Sequence, residues 1–275
     1  MCLFERFSQK PKQKFIFVHV PKCGGTSVEK LIKKSKAYKC SESEFEPNIK
    51  FRHAVNTLNK KELLNDRNKP SYDSIIQTIF LYKLQCGTPV LFGHFPVSKS
   101  LVNSYIEEYD FVTLLREPCE RWISNYIYSQ IRDSQKGKRK KPQSLKQELL
   151  NYISSQEAAV QGSIYSYYFG NGNLETNSGI KVDQAISTLE KFKIVGFLDE
   201  LSDFTNNLAS YLNISKIYLR ELHERRTIEL IDPIGYSFKD YKAIFNDGIL
   251  SKIEAICQPD IEVFQACREQ RLNLR

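Results

Sequence analysis

Three short segments hold residues whose types and spacing suit chemistry on an anion. The first reads Pro21-Lys22-Cys23-Gly24-Gly25-Thr26-Ser27. Glycines at 24 and 25 let the main chain approach a ligand closely and permit positive φ. The loop's outward N–H groups and the positive end of a following helix attract negative charge. Lys22 adds a full charge at the same mouth, and Thr26 and Ser27 add hydroxyl donors in the first helical turn. A plain strand–turn–helix whose glycines only turn the chain is the alternative reading. The order of residues departs from the nucleotide-triphosphatase loop, in which lysine follows the last glycine, and from Gly-x-Gly-x-x-Gly.

The second segment is Arg116-Glu117-Pro118-Cys119-Glu120-Arg121-Trp122-Ile123-Ser124. A guanidinium at Arg116 can fork onto a phosphate. Ser124, about two helical turns further on, can donate to the same group. Arg121 is expected to pair with Glu117 at four-residue spacing. The third segment, Phe92-Gly93-His94-Phe95-Pro96, offers His94. Histidine titrates near neutral pH and suits the role of proton acceptor. His19 reads as a core or supporting residue, and His53 and His223 as surface residues.

The elements that must carry these segments follow from periodicity. Phe15–Val20 and Phe111–Leu115 are apolar, β-branched and aromatic runs that predict buried parallel strands. Pro89–Phe92 and Phe192–Phe197 predict further strands. Helical spacing appears from Thr26, over Ser71–Gln85, from about Cys119 to Ile131, from Ser144 to about Val160, and over Val182–Glu190, Leu201–Leu212 and Asp247–Arg271. Pro118 suits the first turn of its helix. Alternation of strand and helix implies an α/β fold, a mainly parallel sheet flanked by helices on both faces. Each chemical segment then falls at a strand–loop–helix junction, and the carboxyl ends of such strands are where open α/β sheets bind ligands.

At 275 residues the chain reads as one domain spanning 1–275, since no linker breaks it. A 41% apolar and 26% charged composition excludes disorder, collagen and coiled coil as whole-chain descriptions. The longest apolar runs fall far below the roughly 18 residues of a membrane span, and the N-terminus opens no apolar signal core. Net charge is +8, which suits an anionic ligand. The seven cysteines form no Cys-x-x-Cys pair, so no metal site is expected and free thiols in a reducing compartment are. The basic stretch 132–142 predicts an exposed, mobile loop.

Phe17-Val18-His19-Val20-Pro21-Lys22-Cys23-Gly24-Gly25-Thr26-Ser27 resembles the 5′-phosphosulfate loop of sulfotransferases that use 3′-phosphoadenosine 5′-phosphosulfate (PAPS), and is most similar to the carbohydrate, heparan-sulfate-type branch (sulfotransferase family 2). That loop commonly reads His-Ile-Pro-Lys-Thr-Gly-Gly-Thr-Ser; Cys23 replaces its threonine. Leu114–Tyr126 resembles the family's 3′-phosphate motif, Arg-Asp/Glu-Pro-x-x-Arg-x-x-Ser-x-Tyr. Softer similarity continues through Gln161–Gly170 and Ile194–Glu200, while 213–275 carries little that can be assigned. The resemblance implies a P-loop-like sulfotransferase fold. It places Lys22, Cys23, Gly24, Gly25, Thr26 and Ser27 on the 5′-phosphosulfate, and Arg116 and Ser124 on the 3′-phosphate. Lys22 would also stabilise charge on the bridging oxygen, and His94 would be the base, with Glu107 or Glu108 as alternatives. The implied reaction moves a sulfuryl group from PAPS to a carbohydrate hydroxyl and leaves adenosine 3′,5′-bisphosphate (PAP). Basic residues 132–141 would then guide an acidic saccharide, and Tyr165, Tyr167 and Tyr168 would either stack on sugar or simply pack. Without a visible anchor, a cytoplasmic, bacterial-type enzyme is expected, with no nucleic-acid partner and no integral membrane segment. The competing readings are a kinase-type phosphoryl-transfer enzyme and a noncatalytic binder of anionic polymers.

Overall fold

The computed structural model describes residues 14–35, 72–170, 178–215 and 232–273. The N-terminal segment, His53 and His223 lie outside the described residues. Strand β1 (Lys14–Val18) leads through the first glycine loop into α1 (Gly25–Ile32). After α2 (Tyr72–Gln85) come β2 (Val90–Gly93), α3 (Lys99–Tyr105) and β3 (Tyr109–Leu115). Then follow α4 (Pro118–Gln135), α5 (Leu145–Ile153), α6 (Gln156–Gly162), α7 (Ile164–Phe169), α8 (Ser178–Leu189) and β4 (Ile194–Phe197). A single 3-10 turn joins β4 to α9 (Leu201–Tyr211), and α10 (Phe238–Ala243) and α11 (Asp247–Asn273) complete the chain.

The strands form one sheet in the order β2-β1-β3-β4, parallel throughout, as the alternation of elements predicts. Strand side chains alternate between the two faces, and both faces are covered. Ile16, Val18, Phe111 and Leu115 face Phe80, Leu84, Tyr165, Phe169 and Ala185 from α2, α7 and α8. Phe15, Phe17, Val112 and Leu114 face Val28, Leu31, Phe204 and Leu208 from α1 and α9. Every residue of β3 is buried, which explains why its sequence reads as a continuous apolar run rather than an alternating one. A third cluster joins α4, α5, α10 and α11 through Trp122, Ile127, Leu149, Tyr241 and Ile253.

Some predicted boundaries shift. The helical pattern from Ser144 to Val160 divides into α5 and α6 because a second serine caps a new start. Ser144 accepts from the Gln147 amide at 3.3 Å and Ser155 from the Ala158 amide at 3.2 Å, and a serine hydroxyl at such a position stabilises a helix start by about 1 kcal/mol. The helix α4 runs on to Gln135, taking the first four residues of the basic stretch with it.

Arg139 departs from the exposed loop the composition predicts. Its side chain is only 7% exposed and pairs with Asp232, fully buried, at 3.0 Å. It also donates to Glu148 at 2.9 Å and to the Tyr241 hydroxyl at 2.6 Å. Lys136, Lys138, Lys140 and Lys141 around it are exposed. The segment is therefore a solvated basic run with one residue sunk into the protein as an anchor. Removing that cation would leave Asp232 charged in a dry site, so Arg139→Met is expected to cost about 3 kcal/mol, read as a lower urea midpoint with unchanged m-value.

Candidate functional site

Register brings the three chemical segments to one edge. Val18 lies opposite Gly93 of β2 on one side and Thr113 of β3 on the other. The chain therefore leaves all three strands at the same carboxyl-end crevice. His19 extends the ladder by donating its amide to the Gly93 carbonyl at 2.9 Å. Glu107 and Glu108 precede β3 and sit at the opposite edge, where Glu108 pairs with Lys14 at 2.8 Å at the start of β1. The length of a five-residue strand, about 16 Å, separates them from Lys22, so neither serves as the alternative base.

The first loop takes a conformation that only a special local sequence tolerates. Lys22 and Gly24 both adopt left-handed backbone, at φ 69° and 77°. For Lys22 this costs about 1 kcal/mol. A side chain at Gly24 would also meet Leu198 at 2.5 Å, and one at Gly25 would meet the His19 ring at 2.1 Å. Helix α1 begins at once, with the Ser27 amide donating to the Gly24 carbonyl at 3.1 Å. Thr26 is exposed at the mouth, whereas Ser27 is 5% exposed. Cys23 is fully buried and its side chain turns inward, so its position offers the ligand only main chain.

The second junction faces the first. Glu117 caps α4, its carboxylate accepting from the amides of Cys119 at 3.0 Å and Glu120 at 2.7 Å, with Pro118 in the first turn. The expected Glu117–Arg121 pair does not form. Arg121 is fully buried and donates to the Gln161 carbonyl instead. Arg116 stays at the surface, 25% exposed, and pairs with Glu120 at 3.2 Å. Ser124 lies on α4, and one turn further Tyr128 presents its ring 4.0 Å from the Lys22 ammonium. Burial, and then the charge of Arg116, bring the Lys22 pKa down to about 8. Arg116 is thus close enough to Lys22 for its charge to add to the effect of burial.

One hydroxyl ties the loops together. Tyr165 of α7 donates to the Arg116 carbonyl at 2.5 Å and accepts from the Arg116 amide at 2.9 Å. The Cys23 sulfur lies 3.5 Å from the same oxygen. Burial pushes both the thiol and the phenol up, so both stay protonated near neutrality. Asp260 of α11 in turn accepts the amides of Tyr165 at 2.8 Å and Ser166 at 3.2 Å, its own pKa raised to about 7 by burial. Tyr165 and Tyr168 are thus packing residues, 0% and 7% exposed, and not a stacking platform for sugar.

His94 stands at the third junction with its ring exposed. Its Nδ1 lies 2.6 Å from the His19 carbonyl. A carbonyl only accepts, so Nδ1 carries the proton and the neutral ring has its lone pair on Nε2. His19 itself is 7% exposed, its Nδ1 2.7 Å from Glu29 of α1. Lys22, Arg116 and His94 are thus brought together as their strands predict. Glu29, Tyr128 and Leu198 complete the surroundings without announcing themselves in the sequence, and Tyr165, singled out there for stacking or packing, takes a supporting place instead. For Tyr128, its place one turn after Ser124 is a signal that could have been used.

Two cations, a glycine loop at a helix start and a histidine thus lie at one edge of the sheet. The sequence matches the model of the sulfotransferase family over residues 5–163, more than half of the chain, and the chain belongs to that family. It is a PAPS-dependent sulfotransferase, which sets the phosphoryl-transfer and polymer-binding readings aside. No curated protein matches the sequence. Among solved structures, retinol dehydratase in complex with androsterone and the inactive cofactor PAP aligns with 94% of this chain and 83% of its own, at 12% identity and a TM-score of 0.29, a likeness that carries no argument. No helix among the described residues is long and apolar enough to cross a membrane.

Because Tyr165 serves both junctions, Tyr165→Phe is expected to cost about 1–3 kcal/mol through an orphaned buried amide and carbonyl at Arg116. Chemical denaturation measures this directly.

Proposed function

We propose that the chain transfers the sulfuryl group of PAPS to a carbohydrate hydroxyl, with His94 as general base. The observation that carries this reading is the pairing of Lys22 and Arg116 at one mouth, with His94 on the same sheet edge. The donor set fits PAPS: two cations press on each other there, and Gly24 and Gly25 leave room for main chain to approach an anion. In this reading the backbone of 22–27 with the Lys22 ammonium and the Thr26 hydroxyl holds the 5′-phosphosulfate, Cys23 through main chain alone. Ser27 contributes its amide in the first turn. Arg116 and Ser124 hold the 3′-phosphate, Arg116 exchanging Glu120 for it. PAPS, when bound, supplies the sulfuryl group and leaves as PAP. Lys22 meets the negative charge that grows on the leaving phosphate, an electrostatic contribution to the transition state. His94 Nε2 receives the acceptor's proton, its tautomer already set by the His19 carbonyl.

A carbohydrate acceptor is supported by the similarity of the first loop to the carbohydrate branch and by the net charge of +8. The exposed lysines of the basic segment begin at the end of α4, about 12 Å along the helix from Tyr128, whose ring carries Lys22. An acidic saccharide reaching along α4 would meet them.

Incubating the protein with PAPS and a panel of saccharides, steroids and phenols, then reading the sulfonate increment by mass spectrometry, tests the acceptor. Labelled saccharide is expected, and label confined to steroids or phenols would reject it. On the labelled acceptor, His94→Ala is expected to lower turnover by about 10²–10⁴-fold with PAP affinity retained; full activity would remove His94 from the mechanism.

Lys22 makes cofactor binding pH-dependent with a definite sign. The protonated amine is the binding form, and burial beside Arg116 places its titration near pH 8 in the free protein. PAP affinity measured by calorimetry should therefore be full below about 8 and fall as pH rises through it. Bound anion restores the proton, so binding on the alkaline side takes one up. Lys22→Arg should flatten the profile, since guanidinium stays charged throughout. A flat wild-type profile would take Lys22 out of the cradle.

A further inference from the structure

Beside His94 lies a pair of residues that the proposed chemistry does not use. His19 is buried at 7% exposure, and Glu29 projects toward it from the second turn of α1. The Nδ1 of His19 and Oε1 of Glu29 are 2.7 Å apart. One edge of the His19 ring lies against Gly25, where even a methyl group would come within 2.1 Å of it. One face lies against the His94 ring, with centroids 4.2 Å apart and planes tilted by 37°. The Phe17 ring stacks at 5.7 Å. His19 therefore fills the space between the loop assigned to the sulfuryl donor and the residue assigned to the acceptor's proton. It also supplies the carbonyl that holds His94 Nδ1.

A buried imidazole in such a slot needs its rotation fixed, because half a turn about χ2 exchanges nitrogen for carbon on each edge. The Glu29 carboxylate supplies that constraint through a charge-assisted hydrogen bond. Burial alone would raise the Glu29 carboxyl, yet the hydrogen bond and charge of His19, with His94 and Lys33 further off, hold it below the ordinary carboxylate range. Glu29 is thus ionised throughout the neutral range and keeps accepting from His19.

We infer that Glu29 and His19 are positioning residues: Glu29 locks the His19 ring, and His19 seats His94 against the donor loop at Gly25. The inference rests on His94 being the base. It concerns alignment between donor and acceptor, so it predicts a loss in turnover and not in cofactor binding. A misplacement of about 1 Å at such a seat can cost on the order of 10²-fold; with the carbonyl contact to His94 retained, a smaller loss is expected.

A double-mutant cycle tests it, with sulfated product and PAP affinity both measured. Glu29→Ala is expected to lower kcat by about 10-fold, with acceptor KM and PAP affinity within about two-fold of wild type. Glu29→Gln keeps the side-chain length and an acceptor oxygen for His19 and should recover kcat to within about three-fold. It also answers the objection that the alanine variant merely unfolds. In a His94→Ala background, Glu29→Ala should change the residual rate by less than about two-fold, because the residue it positions is gone. The positioning role is overturned if Glu29→Ala leaves kcat intact, if PAP affinity falls by the same factor as kcat, if Glu29→Gln is as poor as alanine, or if the 10-fold loss persists without His94. In that last case His94→Ala is itself impaired, and the base assignment stands. Wild-type turnover by His94→Ala alone would instead bring down the base assignment and this inference with it.

Discussion

Holding two cations side by side in a partly buried mouth is unfavourable, and much of the architecture answers that cost. Burial of the Lys22 ammonium, and then the charge of the Arg116 guanidinium, bring the lysine down to about 8. Neither is allowed to drift away. Lys22 lies over the Tyr128 ring at 4.0 Å, where the electron-rich face offsets part of the repulsion. Arg116 has its main chain pinned on both sides by one phenol. In the proposed reading, an anion arriving here would offset both the burial and the repulsion of Lys22, so affinity and pH dependence would come from the same source.

That phenol shows how far from the ligand the support extends. Tyr165 is held by Asp260, whose carboxylate oxygen satisfies the Tyr165 and Ser166 amides. Asp260 lies in the long terminal helix, fully buried. A chain of contacts therefore runs from α11 through α7 to Arg116 and Cys23. The cysteine fits this account better than it fits a ligand-contacting role. The residue after Lys22 points inward toward a hydroxyl, and a thiol or a threonine hydroxyl can each meet Tyr165 there while the loop's amides face out.

The sheet and the site's three junctions were legible because they are local patterns. Apolar runs of five or six residues ending at Gly-Gly, Gly-His or Arg-Glu-Pro announce buried strands that stop at a turn, and parallel order then forces their ends together. The support was not legible, because nothing in spacing links Tyr165 to Arg116 or Glu29 to His19. Arg121 illustrates the failure. At four residues from Glu117 it invites a surface ion pair, yet Glu117 is used up in capping the helix and Arg121 points into the protein. Arg139 fails in the same way: composition reads its neighbourhood as solvated, and only the buried Asp232 reveals one cation in that run as an anchor. A histidine inside a strand pattern such as His19 reads as core, which is true, but its partner and its two ring contacts depend on tertiary packing.

The distribution of charge also bears on what reaches the site. Exposed positive charge lies at the sheet edge and again past the end of α4, and the two meet at Tyr128, whose ring has Lys22 at 4.0 Å and Arg132 at 6.0 Å. A polyanion would feel both, and its association would be steered at long range and weakened by salt over a Debye length of about 10 Å. Burial of Arg139 removes one cation from the outer patch and leaves Lys136, Lys138, Lys140 and Lys141 exposed to a passing chain. In the proposed reading, selection of the acceptor would rest on two sets of residues: His94, seated by His19, would meet the reacting hydroxyl, and the exposed lysines would meet the charge of whatever carries it.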